Sequence, residues 1–230
     1  MLITVFALIC SFILTTLLTV FNTKLANKIG IIDAKESASD RKKQIDPVPL
    51  LGGVGVILVS TGLMSLTWIG LKFGYLDREI LRNLEPFRIY WIVISLIIIL
   101  ISGVLDDKYQ FESKIMAIPV GFAIFITVFL GGVTIDGWSY PFDQIIPNND
   151  WIHSLLAMIW LGCCLGATKF LDGHDGLVGS VGFVSFLTIA GISSLDRVDQ
   201  PFIVLVSLVW AFGCLGFLTY NFPNAKVYLG

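Results

Sequence analysis

The chain has 230 residues, of which 56% are hydrophobic and only 14% charged, with a formal net charge of −2 and a mean hydropathy of +0.85. No single soluble core hides that much apolar surface, so composition excludes an ordinary soluble domain and predicts an all-α polytopic membrane protein. The near-neutral balance gives no footing for a nucleic-acid partner.

Apolar runs occupy roughly residues 2–21, 51–71, 88–105, 115–133, 151–171, 177–194 and 202–220. Each approaches the ~20 residues needed to cross a bilayer, which predicts about seven transmembrane helices in one domain, residues 1–230. The first run carries no Lys or Arg before Ile9, and Phe21-Asn22-Thr23 is no small-residue cleavage site, so it is expected to stay in the mature protein. Seven spans assign every basic residue to a side. Lys24, Lys28, Lys35, Arg41, Lys42, Lys43, Lys108, Lys114, Lys169 and Lys226 share one side, whereas Lys72, Arg78, Arg82, Arg88 and Arg197 share the other. The basic side is cytoplasmic by the positive-inside rule, which puts the N-terminus outside. Cys10, Cys163, Cys164 and Cys214 all fall in apolar runs, so neither a disulfide nor a zinc site is expected.

Four loops on the predicted cytoplasmic side carry the chemistry. The first joins Arg41-Lys42-Lys43 to Pro47-Val48-Pro49-Leu50-Leu51-Gly52-Gly53. Such a cluster is ordinarily a topology signal or a contact to anionic lipid; a Pro-x-Pro leading into a Gly-Gly helix start would also bring cations and a helix N-terminus toward a phosphate. In the second, Asp106-Asp107 ends an apolar run, where a helix C-terminus already disfavours anions. Something positive should offset the pair: Lys108, Lys114, or a divalent cation held jointly with substrate phosphates. The plain alternative is a solvated helix end.

The third loop, Asp172-Gly173-His174-Asp175-Gly176-Leu177, spaces two acids to share one side of a helical turn, beside glycines that let a ligand approach backbone. Gly179 and Gly182 read equally well as helix-packing residues. His174 lacks a second ligand at metal spacing, and His153 falls on the opposite side. The fourth loop, Asn221 to Gly230, adds an amide, Lys226 and Tyr228.

Taken together, in order, spacing and sidedness, these segments resemble the polyprenyl-phosphate N-acetylhexosamine-1-phosphate transferases, and the likeness runs essentially the whole chain. The matching elements are Asp33 with Arg41-Lys42 and the Pro47 to Gly53 motif; Gly103-Val104-Leu105-Asp106-Asp107 with Lys114; Asp172 to Leu177; and Gly216-Phe217-Leu218 through Asn221 to Tyr228-Leu229-Gly230. The resemblance implies a Mg²⁺-dependent reaction, with Mn²⁺ as substitute, in the bacterial inner membrane with its active site on the cytoplasmic face. A polyprenyl phosphate attacks the β-phosphorus of a UDP-sugar, UMP leaves, and a polyprenyl-diphosphate-sugar starts a cell-envelope glycan. It further implies that Asp106 and Asp107 act near the lipid phosphate and metal, one as base. Lys114 would contact phosphate beside the basic Arg41 and Lys42, Asp172 and Asp175 would line the nucleotide-sugar side, Asn221 would help hold the uridine, and Tyr228 would stack on uracil. GlcNAc is the default sugar, FucNAc and QuiNAc are alternatives, and a homodimer is left open.

Three departures qualify the likeness. Gln44 stands where the family commonly has His. Lys169, in Gly166-Ala167-Thr168-Lys169, replaces an amide expected near the diphosphate and metal; its charge could take over part of the metal's role or mark an altered donor. In the family a metal-binding Asp follows the residue matching Gly230, so a fragment is expected, and residues 1–230 alone are expected not to turn over. Two other classes match the residues less well. CDP-alcohol phosphotransferases follow their Asp-Gly with Ala-Arg, whereas Gly173 is followed by His174-Asp175; an ion-coupled transporter should carry acids in mid-helix, whereas every acid here lies near a run's end or in a loop.

Overall fold

A computed structural model describes residues 2–33, 48–74, 86–135, 149–172 and 174–230. Among them seven α-helices follow in order: α1 Leu2–Ile29, α2 Gly52–Lys72, α3 Pro86–Tyr109, α4 Ser113–Phe125 continued by a π-helical turn Ile126–Leu130, α5 Asp150–Leu171, α6 Leu177–Ser193 and α7 Pro201–Asn221. Strands β1 Ile32–Asp33 and β2 Val48–Pro49 pair antiparallel, with Ile32 opposite Pro49. Six helices are long and apolar enough to cross a membrane; α6, at 17 residues, is the shorter exception. At ~1.5 Å rise per residue it covers roughly 25 Å, less than the ~30 Å of hydrocarbon.

Helix ends lie outside the apolar runs where local chemistry carries the ladder further. α1 continues past Phe21 to Ile29 and stops at Gly30, whose φ of 75° is the left-handed C-terminal cap, with the Ile31 N–H closing on the Ala26 carbonyl. α3 continues through the acidic pair to Tyr109, and Gln110 turns left-handed at φ 50°. Asp106 and Asp107 therefore sit within the last turn of α3.

The contacts divide the chain into two compact units, residues 1–84 with 171–230, and residues 85–170. In the first unit, α2 and α7 are the interior helices, each 44% buried over its apolar window against 17% for α1. Lipid is as apolar as a leucine side chain, so close approach through small residues and cross-helix hydroxyls must hold such helices together. A Cβ on Gly216 would lie 2.7 Å from the Phe12 carbonyl oxygen, and one on Gly213 2.8 Å from Ser60 Oγ. Ser11 Oγ donates to the Val209 carbonyl at 2.6 Å, pinning α1 to α7. Near the loop end of α7, Val56, Cys214, Phe217 and Val227 form a buried cluster.

In the second unit, Ile124 and Val128 of α4 and its π-helical turn pack with Ala157 of α5. Pro119 sits inside α4, where it has no N–H to give to the preceding turn. Large apolar side chains such as Ile118, Trp160 and Phe170 are exposed, the expected lipid-facing surface in a membrane-spanning chain.

Candidate functional site

In the second unit the Asp106 carboxylate is tied at both oxygens. Its Oδ1 accepts the Phe111 N–H at 3.1 Å, and its Oδ2 lies 3.3 Å from Lys169 Nζ in the last turn of α5. The Asp106 side chain is 22% exposed and that of Lys169 68%. Asp107 is half-buried. Lys108 folds over its neighbour, with Nζ 5.4 Å from the Tyr109 ring centroid. Lys114 is exposed in the first turn of α4, whose N-cap, Glu112, makes no side-chain capping bond. A groove of about 290 Å³ runs between α3 and α4, lined by Leu105, which precedes Asp106, by Phe111, which bonds to it, and by Ile101, Ile115, Met116 and Pro119 among others. Almost every lining side chain is apolar.

In the first unit, Asp172 and Asp175 are half-buried in the stretch of chain that precedes α6. Asp172 and residues 174–176 are turn and bend instead of the expected helical turn, and α6 starts only at Leu177. Asp175 Oδ2 accepts the Ala225 N–H at 3.1 Å, and His174 is exposed. Gly176 caps α6 at φ 73°, and a Cβ there would come 2.6 Å from Phe222 Cδ2, so only glycine fits.

Asn221, the last residue of α7, is 5% exposed. Its Oδ1 accepts the Gly176 N–H at 2.8 Å and its Nδ2 donates to the Val227 carbonyl at 2.7 Å. Both ends of the amide are thus engaged with backbone, joining the loop of Asp172 and Asp175 to the loop of Tyr228. The Tyr228 ring is half-buried.

The final loop is also fastened to the first motif. Tyr228 N–H donates to the Pro49 carbonyl at 2.9 Å, Gly52 N–H to the Tyr228 carbonyl at 2.9 Å and Gly53 N–H to the Leu229 carbonyl at 2.7 Å. Glycine is required at 52, where a Cβ would lie 2.4 Å from Phe217 Cε2 and 2.6 Å from the Tyr228 oxygen. These bonds correct one expectation: the first two N–H groups of α2 serve the Tyr228 and Leu229 carbonyls instead of facing a phosphate. Leu51, the N-cap, holds φ at 80° although it is not glycine, a conformation costing about 1–3 kcal/mol. Neighbours keep it there: Asn22 Nδ2 donates to the Leu51 carbonyl at 3.3 Å, and the Leu50 N–H reaches the Ile31 carbonyl at 3.2 Å.

Arg41, Lys42 and Gly173 lie outside the described residues. Phe111 was not anticipated as a site residue. Its N–H closes on Asp106 and its ring lines the groove, yet an aromatic after a helix end carries no sequence signal of either contact.

For a metal, the described residues bring together no group of three or more His, Cys, Asp or Glu side chains. Asp106 already engages an N–H and an exposed ammonium through its two carboxylate oxygens. Mg²⁺ needs only one or two protein carboxylates when substrate phosphates complete its shell, and Asp106, Asp107 and Asp172 are acids of the right type.

The sequence model of glycosyl transferase family 4 matches residues 89–230, more than half of the chain. Among similar proteins, the probable undecaprenyl-phosphate N-acetylglucosaminyl 1-phosphate transferase of Bacillus subtilis (strain 168) is 31% identical over 227 residues, 98% of this chain and 58% of the relative. The undecaprenyl-phosphate alpha-N-acetylglucosaminyl 1-phosphate transferase of Thermotoga maritima is 29% identical over 223 residues, 96% of this chain and 57% of its own length. Its namesake in Escherichia coli (strain K12) is 30% identical over 175 residues, 74% and 42% respectively. The chain thus spans at most 58% of the length of these three relatives. With the match running from α3 through the acidic pair and both later loops, the chain belongs to glycosyl transferase family 4.

Proposed function

We propose that the protein containing this chain transfers a sugar-1-phosphate, GlcNAc-1-phosphate by default, from a UDP-sugar to a polyprenyl phosphate in the bacterial plasma membrane, with its reacting groups on the cytoplasmic side. The observation that carries the reading is the acidic helix end of α3 set beside an apolar groove and followed by Lys114. A lipid phosphate has that double character, an isoprenoid tail that seeks apolar cover and a head that needs cations. The charge count on the loops supports the cytoplasmic face and the outside N-terminus.

In the reaction an oxygen of the lipid phosphate bonds to the β-phosphorus, the bond from that phosphorus to the α–β bridging oxygen breaks, and UMP departs with both bonding electrons. Phosphoryl transfer asks the protein mainly for positioning and charge neutralisation. We assign Lys114, with the positive end of α4, to the lipid phosphate. Arg41 and Lys42 supply further basic charge. Asp107 is assigned to the reacting phosphates and to a divalent cation, Mg²⁺ or Mn²⁺. When bound, that cation would neutralise charge developing on the phosphate oxygens. Asp172 is placed on the nucleotide-sugar side and Tyr228 against the uracil. Asp175 and Asn221 serve that side through the loop they fasten, in addition to any direct contact.

The test is release of UMP from UDP-GlcNAc by the intact gene product with polyprenyl phosphate in detergent. Appearance of UMP and lipid-linked sugar in equal amounts supports the proposal; UDP as the released nucleotide would show a different bond being broken.

A further inference from the structure

We infer that Lys169 is a tethered cation occupying the place at Asp106 that a divalent cation would otherwise take, so that Asp106 is a positioning residue. This rests on the reading of the α3 end as part of a phosphoryl-transfer site.

The geometry carries the inference. Two adjacent carboxylates close a helix whose C-terminus is already partly negative, and that combination requires positive charge. Lys169 supplies it at 3.3 Å from Asp106 Oδ2, from the last turn of α5, where that helix's own dipole favours a cation. Lys108, nearer in sequence, has its ammonium over the Tyr109 ring. The other Asp106 oxygen holds the Phe111 N–H, and the Asp106 carbonyl accepts the Gln110 N–H at 2.7 Å. Asp106 therefore fixes the turn that leads from α3 to the apolar groove. A Mg²⁺ ion sits ~2.1 Å from its ligand oxygens, so one placed on Oδ2 would compete with the ammonium for the same lone pairs. An asparagine at 169 would present no such charge.

Mn²⁺ binding, followed by the electron paramagnetic resonance of free Mn²⁺ with the metal alone and no substrate, tests this on the intact gene product in detergent. Removing one exposed ammonium next to a carboxylate should tighten Mn²⁺ binding in Lys169→Asn by roughly three- to tenfold. Lys169→Arg, which keeps the charge, should bind as the wild type does. Asp106→Asn should leave the wild-type affinity within twofold, and the same substitution in the Lys169→Asn background should cancel the gain. An unchanged or weaker affinity in Lys169→Asn overturns the inference, and so does a loss of more than threefold in Asp106→Asn alone. The outcome is separable from the reaction itself, because the predicted Mn²⁺ pattern in a protein that releases no UMP would refute the transferase reading and leave the cation assignment standing.

Discussion

Replacing Asn221 with Ala isolates the amide that ties the two loops of the first unit together. Asn221 is 5% exposed, and its truncation strands the Gly176 N–H and the Val227 carbonyl, bonded to it at 2.8 and 2.7 Å. Each abandoned buried group costs about 1–3 kcal/mol, so the pair should cost roughly 2–6 kcal/mol, with the sum on the low side if water enters. Asn221→Asp makes a sharper companion. It keeps the oxygen for Gly176 but turns the other end from a donor into an anion facing the Val227 carbonyl, so it should be at least as destabilising despite its identical shape. Unfolding in detergent with increasing SDS, followed by tryptophan fluorescence, reports the difference. An Asn221→Ala change below about 0.5 kcal/mol would refute the argument, since a bond pair of no consequence would then be all the amide supplies.

Five further substitutions have expected outcomes. Gly52→Ala should destabilise by about 1–3 kcal/mol because its Cβ meets Phe217 and the Tyr228 oxygen. Gly62→Ala, in the same helix with nothing within 4 Å, should be neutral or stabilising by up to ~1 kcal/mol on the same SDS titration. Gly216→Ala places a methyl 2.7 Å from the Phe12 carbonyl oxygen and should part α1 from α7, again at about 1–3 kcal/mol, read as a lowered unfolding midpoint. Asp175→Asn retains an oxygen for the Ala225 N–H, so initial rates of UMP release should fall by less than about tenfold, whereas Asp172→Asn, at the acid assigned to the nucleotide-sugar side, should cost more than about a hundredfold.

Much of the fold is legible as composition. Each of the seven apolar runs became a helix, because twenty consecutive apolar residues in lipid leave the backbone no other way to satisfy its own polar groups. The run lengths misplace the ends: nothing in hydropathy carries α1 to Ile29 or α3 past the acidic pair, since helical hydrogen bonding does not stop where apolarity does. Gly30 is a readable stop; Gln110, left-handed without being glycine, is not. The seventeen residues of α6 are apolar enough to resemble a full span while falling a turn or so short of one.

The acids at 106, 107, 172 and 175 stood out because charge at a membrane helix end is costly. What each carboxylate touches was not readable. Asp106 meets Lys169 across 63 positions and Asp175 meets Ala225 across 50, and such pairings leave no period or local motif. Lys169 announced itself as a departure from the family's amide, and only the distance to Asp106 gives the departure a physical meaning. The glycines at 52 and 53 read as a helix start near a phosphate because glycine signals close approach without naming the approaching partner. Here the partners include the carbonyls of Tyr228 and Leu229, over 170 residues away.

The central claim is tested most directly by incubating the intact gene product with UDP-GlcNAc labelled at the β-phosphorus, polyprenyl phosphate and Mg²⁺, then following the label. The account predicts that it moves into the lipid fraction in step with UMP release, and that both stop in Asp107→Asn. Label retained in a water-soluble UDP while sugar alone reaches the lipid would contradict it.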